Sequence, residues 1–126
     1  MNRKISSQYI LDLYKSNKNY GKLSKFNIKK VFHNPLCGDT ITIYLLIENN
    51  IIKDISFESN GCMISKVAAI ISLDMVKNQN VEILEKIKFE ELLEKMMMES
   101  ITSSRKKCAE LAFNGLKSIK KEKIKP

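Results

Sequence analysis

The sequence predicts an α+β fold, a small antiparallel sheet with helices packed against one side of it. Three observations carry that prediction. A helical apolar pattern stands at the start of the chain, a β-hairpin pattern occupies residues 40–57, and helical patterns fill most of residues 63–119. Helix, short sheet, then helices is the order of an α+β domain rather than of alternating βα units.

Each element has a local reason. Over 4–16, Ile5, Tyr9, Ile10, Leu13 and Tyr14 recur at three- and four-residue spacing, which predicts an amphipathic helix. Asn17-Lys18-Asn19-Tyr20-Gly21 breaks it. Residues 22–33 are basic and irregular, with a short strand around Ile28 to Phe32. Thr40 to Ile47 and Ile51 to Phe57 are rich in β-branched and aromatic residues and flank the turn pair Asn49-Asn50, so they pair as a hairpin. A lone hairpin is marginal in water, so helices must cover one face. Residues 63–77 form a second helix with a stripe of Ile64, Val67, Ala68, Ile71, Met75 and Val76, closed by Asn78-Gln79-Asn80. Helical pattern resumes over 81–98 with a break near Lys88, and the Met96-Met97-Met98 run reads as helix core. The last helix starts near Ser103 or Ser104, either of which suits a cap, and carries Cys108, Leu111, Ala112, Gly115 and Ile119 on one face.

The totals narrow the function. A chain of 126 residues, 44% hydrophobic, is expected to form one domain over 1–126 around a single core, with a Lys-rich C-terminal tail from about 117. No apolar run approaches the ~20 residues that span a bilayer. The N-terminus has charge but no apolar core behind it, so it is not read as a signal peptide, and a cytoplasmic, reducing location is expected. Three cysteines, an odd number, argue against a disulfide framework. The net charge of +8 is uneven: +7 over 1–33, −3 over 34–114 and +4 over 115–126. The basic ends lack the aromatic interleaving of a nucleic-acid interface, so they are read as solvated, with non-specific phosphate binding at low salt as their limit.

The chemistry centres on Asn34-Pro35-Leu36-Cys37-Gly38-Asp39. Cys37 and Asp39 stand two residues apart, and Gly38 permits the bend that turns both side chains to one ligand. Cys62 follows Asn60-Gly61 and opens a helix, where the helix dipole favours a thiolate. Cys108 sits on the apolar face of the last helix. Three thiolates and a carboxylate make a plausible tetrahedral set for Zn²⁺, and thiolates equally suit an iron–sulfur cluster. There is no Cys-x-x-Cys, and Cys108 taken alone reads as a small buried hydrophobe. His33, the only histidine, reads as a loop residue beside the site. Arg105 and Lys107 are cations near the thiols, placed to favour thiolate or to dock an acidic surface.

Three ordered motifs then carry a resemblance. His33 to Asp39, Phe57-Glu58-Ser59-Asn60-Gly61-Cys62-Met63-Ile64-Ser65 and Arg105-Lys106-Lys107-Cys108-Ala109 resemble the three cysteine motifs of the U-type iron–sulfur cluster assembly proteins: IscU, SufU and the N-terminal domain of NifU. Ile10-Leu11-Asp12-Leu13-Tyr14 with Asn19-Tyr20-Gly21 resembles the family's N-terminal helix and turn, with Leu13 and Asn17 where a His and a Pro are usual. The resemblance implies a three-stranded antiparallel sheet with packed helices. It implies that Cys37, Cys62 and Cys108 are sulfur ligands and Asp39 the carboxylate that keeps the site labile, with Gly38, Arg105 and Lys107 in support. It implies a PLP-dependent cysteine desulfurase as sulfur donor, with Cys37 as candidate persulfide acceptor. The cargo would be a transient [2Fe–2S] cluster, or Zn²⁺ would be bound at rest, and downstream apo iron–sulfur proteins or carriers would receive what is made. Such a chain is a scaffold or carrier rather than a turnover enzyme; the enzymatic form would be a zinc-dependent sulfurtransferase.

On subtype the chain is a mosaic. Lys107 replaces the histidine that precedes the third cysteine of IscU, and Arg105 is SufU-like. The 46-residue step from Cys62 to Cys108 is nearer the IscU length, whereas Ile101-Thr102-Ser103-Ser104 stands where IscU has its chaperone motif. Two rival readings remain: a structural zinc module that docks another protein, and a basic nucleic-acid-binding domain.

Overall fold

The computed structural model describes residues 3–35, 38–96 and 103–121, with side chains for 8–35, 38–96 and 105–119. Helix α1 (Arg3–Ser16) is followed by strands β1 (Ile28–His33), β2 (Thr40–Glu48) and β3 (Ile51–Ser59). Helices α2 (Met63–Val76), α3 (Ile83–Lys86), α4 (Phe89–Lys95) and α5 (Ser103–Lys121) complete the chain. The strands form one antiparallel sheet in the order β1-β2-β3. Thus the α+β class and the three-stranded sheet are both present.

Asparagine makes several of the turns. Asn49 and Asn50 both take left-handed backbone angles, φ 54° and 63°, which gives the tight turn whose twist matches a two-residue hairpin. Asn17 and Asn19 do the same after α1, and Asn78 ends α2 at φ 66°. The turn after α1 also closes one edge of the sheet. The Gly21 N–H donates to the Phe57 carbonyl at 2.8 Å, and the Phe57 N–H donates to the Asn19 carbonyl at 2.9 Å. Asn78 and Gln79 exchange bonds with Ile52 further along, so β3 is covered at both ends.

The core lies between the sheet and the helices. Ile41, Ile43, Leu45 and Ile47 of β2 alternate inward, as one buried face of a strand requires. Ile52, Ile55 and Phe57 of β3 join them. Helix α2 packs on α5, α1 and β3 and differs from the single stripe expected: Ser65, Val67 to Leu73 and Val76 are all buried. It is a central helix with neighbours on most sides, and Ala68 and Ala69 let them approach. Ile64 and Met75, expected in the stripe, lie at its margin. In α1, Ile10 is buried but Tyr14 is exposed, its ring facing the Lys66 amine at 4.7 Å. Ile5 lies outside the described side chains.

The helical pattern over 81–98 resolves into α3 and α4, with extended backbone at Ile87 and Lys88, where the break was expected. Met96 is core, whereas Met97 and Met98 lie outside the described residues. Helix α5 runs through the Lys-rich stretch as far as Lys121, and the Lys117 amine donates to the Ile87 carbonyl at 2.9 Å. Its buried face is centred on Ala109, Ala112, Phe113, Leu116 and Ile119, so Cys108 and Leu111 stand on the flank of that face. No helix among the described residues is long and apolar enough to cross a membrane.

Gly115 is where α5 meets β1. A Cβ there would lie 2.7 Å from Cδ2 of Phe32. Gly115→Ala is therefore expected to lower stability, because overpacking costs about 1–3 kcal/mol against about 1 kcal/mol gained in helix propensity. Urea unfolding reads the net loss, and adding Phe32→Leu recovers it.

Candidate metal centre

Three segments distant in sequence meet at one end of the sheet. The first is the β1–β2 connection. The Asn34 N–H donates to the Asp39 carbonyl and the Gly38 N–H to the Asn34 carbonyl, both at 2.8 Å, so Asn34 is tied to Gly38 and Asp39. Gly38 has φ 73°, a left-handed angle that favours glycine. Leu36 and Cys37 lie outside the described residues. The loop is anchored on both flanks. Asn34 is only 8% exposed, and its side-chain amide donates to the Lys107 carbonyl at 3.4 Å, which ties the loop to α5. The Thr40 N–H donates to Asn60 Oδ1 at 3.0 Å, and the Asn60 N–H returns to the Thr40 carbonyl at 3.1 Å.

The second segment is the entry to α2. Cys62 is the helix N-cap, and its Sγ accepts the Ser65 N–H at 3.5 Å. The sulfur therefore faces the positive end of a helix, an arrangement suited to anionic sulfur. Cys62 is solvent-exposed, so a reactant reaches it directly. The third segment is the start of α5, where Cys108 is half-buried in the second turn.

One ligand-type atom from each of Asp39, Cys62 and Cys108 lies within 4.8 Å of the other two. Two sulfurs on a tetrahedral zinc at about 2.3 Å stand about 3.8 Å apart, so small side-chain rotations bring this set to bonding distance. Asp39 has a second mark of an incomplete site. It is 8% exposed, and its Oδ2 is buried with no hydrogen-bond partner among the described residues. A buried carboxylate oxygen without a donor is costly, and a cation is one way to satisfy it. The donor set of two sulfurs and a carboxylate fits zinc or iron.

Of the residues singled out in the sequence, Asp39, Cys62 and Cys108 are brought together. Gly38 supplies the left-handed bend immediately before Asp39. Arg105 and Lys107 are exposed on the first turns of α5. Lys107 also lines a groove of about 680 Å³ between β1 and α5, which runs from Asn34 and Pro35 to Ser118. His33 ends β1 beside the site, with Nδ1 3.1 Å from Thr40 Oγ1.

Three further contributors carry only turn signals in the sequence. Asn34 and Asn60 lock the loops, and the Asn-Pro and Asn-Gly pairs are the signals available for them. Gly61 is the third. A Cβ on it would fall 3.0 Å from Asp39 Cγ and 3.2 Å from Oδ2, so its missing side chain is the space the carboxylate uses. Gly61→Ala is expected to displace the carboxylate and weaken zinc binding about 10–100-fold, as loss of support around a ligand does, with the fold retained. Competition against a chelator measures it.

A family model described as the NifU-like N terminal domain matches residues 5–123. The iron–sulfur cluster assembly scaffold protein IscU of Thermotoga maritima is 40% identical over 76 residues, 60% of this chain and 54% of that protein. The zinc-dependent sulfurtransferase SufU of Bacillus subtilis is 35% identical over 75 residues, 60% of this chain and 50% of that protein. These matches span about half the length of those two curated relatives. Among solved structures, a putative iron–sulfur cluster assembly scaffold of the SUF system from Fervidobacterium islandicum has the same fold. Its TM-score is 0.72 at 20% identity, over 93% of this chain and 98% of that one.

Proposed function

The chain belongs to the NifU-like N-terminal domain family, and from that premise we propose that it is an iron–sulfur cluster assembly protein with one working site. In this reading Cys37, Cys62 and Cys108 are the sulfur ligands and Asp39 the carboxylate ligand. The site carries a transient [2Fe–2S] cluster as cargo or accepts sulfur with zinc bound. The observation that carries the reading is the convergence of Asp39, Cys62 and Cys108, together with the unpartnered carboxylate oxygen of Asp39 among the described residues.

The residues divide the work by exposure and hardness. A thiolate of the site attacks the outer sulfur of a cysteine desulfurase persulfide. A new S–S bond forms on this chain, the donor's S–S bond breaks, and the donor cysteine leaves as thiolate. Cys37, on the loop between the two strands, is the proposed first acceptor. Reduction of the transferred sulfur to sulfide draws on an external electron donor. Zinc, when bound, holds the thiols as thiolates. Asp39 offers a hard oxygen among soft sulfurs, the ligand best suited to exchange. Arg105 and Lys107 provide positive charge where an acidic partner surface would dock. Downstream apo iron–sulfur proteins or carriers take the product.

The test is assembly without oxygen. The purified chain is incubated with a cysteine desulfurase, cysteine, ferrous iron and a thiol reductant, and iron and acid-labile sulfide are counted. About two of each per chain or dimer is the result expected of a scaffold. Persulfide uptake with zinc retained and no cluster assigns the sulfur-acceptor role. Zinc held without either leaves a structural module and refutes the proposal. Cys37→Ser, Cys62→Ser and Cys108→Ser are each expected to abolish stable metal or cluster retention, measured as bound metal after gel filtration; full retention in all three overturns the ligand assignment.

A further inference from the structure

Ser65 sits one turn into α2 and is 1% exposed, and its hydroxyl has no hydrogen-bond partner among the described residues. A serine inside a helix commonly turns its hydroxyl to the carbonyl of the preceding turn. Ser65 does not. Its Oγ lies 3.1 Å from the point a Gly61 Cβ would occupy, and Asp39 Oδ2 lies 3.2 Å from the same point. Two buried polar atoms without partners thus border one small space, one able to donate and the other only to accept. Ser56 and Ser72 are also buried hydroxyls without partners among the described residues, but Ser65 is the one at the Gly61 cradle. The backbone N–H of Ser65 meanwhile donates to Cys62 Sγ. One residue therefore touches the surroundings of two ligands.

We infer that Ser65 is a positioning residue for Asp39: its hydroxyl, without a partner among the described residues, turns to donate to the carboxylate when that group binds a metal, and thereby sets how fast metal leaves the site. The inference rests on the reading of Asp39, Cys62 and Cys108 as metal ligands. The physical reason is the balance of donors. A metal ion satisfies one carboxylate oxygen, and a hydroxyl within reach can supply the donor for the other. With alanine at 65 that second oxygen stays desolvated and unpaired, and the carboxylate gains by swinging out to water. Glycine at 61 and serine at 65 are then two halves of one device, a space for the carboxylate and a donor at its far wall.

The experiment is a double-mutant cycle on zinc release. Wild-type protein, Ser65→Ala, Asp39→Ala and the double variant are loaded with zinc and mixed with excess chelator, and release is followed by a zinc-sensitive dye. Thermal unfolding of each metal-free form checks the fold. Ser65→Ala is expected to speed release by about tenfold or more. In the Asp39→Ala background the same change is expected to alter release by less than about twofold, because the group it acts on is gone. Unchanged release in Ser65→Ala overturns the inference, as does equal acceleration in both backgrounds, which would mean a packing role alone. A wild-type protein that holds no zinc refutes the metal centre itself, and the inference with it.

Discussion

A carboxylate held almost out of water with one oxygen unpartnered among the described residues is an expensive arrangement, and the surroundings of Asp39 are organised to hold it. Burying an ionised group costs several kcal/mol even after relaxation, so the chain must gain by keeping the group there. Among the described residues Asp39 is held through its backbone. Its carbonyl accepts the Asn34 N–H, and the residue after it is clasped by Asn60. The carboxylate is then free to point at Cys62 and Cys108 while the peptide that carries it stays fixed. Such a group suits a cation, which would supply the partner that Oδ2 lacks among the described residues.

The rest of the fold keeps that arrangement rigid. Helix α2 is buried on most of its surface, so its N-terminus, and with it Cys62, has little freedom to drift. Helix α5 packs against α2, β1 and β2. Phe32 seated over Gly115 keeps α5 close to β1, and the Asn34 amide on the Lys107 carbonyl extends the same clamp to the site. Asp39 next to β2, Cys62 at the cap of α2 and Cys108 in α5 therefore belong to different parts of the fold, and those parts are pinned to one another by core packing. Cys62 and the cations at the start of α5 are exposed, where a partner could reach them.

Much of this was legible in the chain itself, where local chemistry leaves a local mark. Alternation in 40–57 and the Asn49-Asn50 pair specify a hairpin because strand pleat and left-handed turn both act over a few residues. The break at Lys88 and the helix entry at Cys62 are of the same kind. So is the cysteine and aspartate spacing around Gly38, which marks the site without reference to any distant contact. The wide burial of α2 was not legible, because a stripe predicts one covered face and cannot count the neighbours that cover the others. Tyr14 departs from its apolar stripe for a related reason: its ring stands by Lys66, a residue far along the chain, and no periodicity reports that.

The sequence by itself determined the α+β class, the order of elements and the donor types, since propensity, turn chemistry and thiol or carboxylate identity belong to single residues and their near neighbours. Only the tertiary structure decided that Asp39, Cys62 and Cys108 share one point, that Gly61 is the space for a carboxylate, and that Asn34 fastens a strand loop to the last helix. Those facts depend on distances between residues separated by roughly 20 to 70 positions in the chain. Such distances are set by how the sheet and helices exclude water together, not by any residue alone.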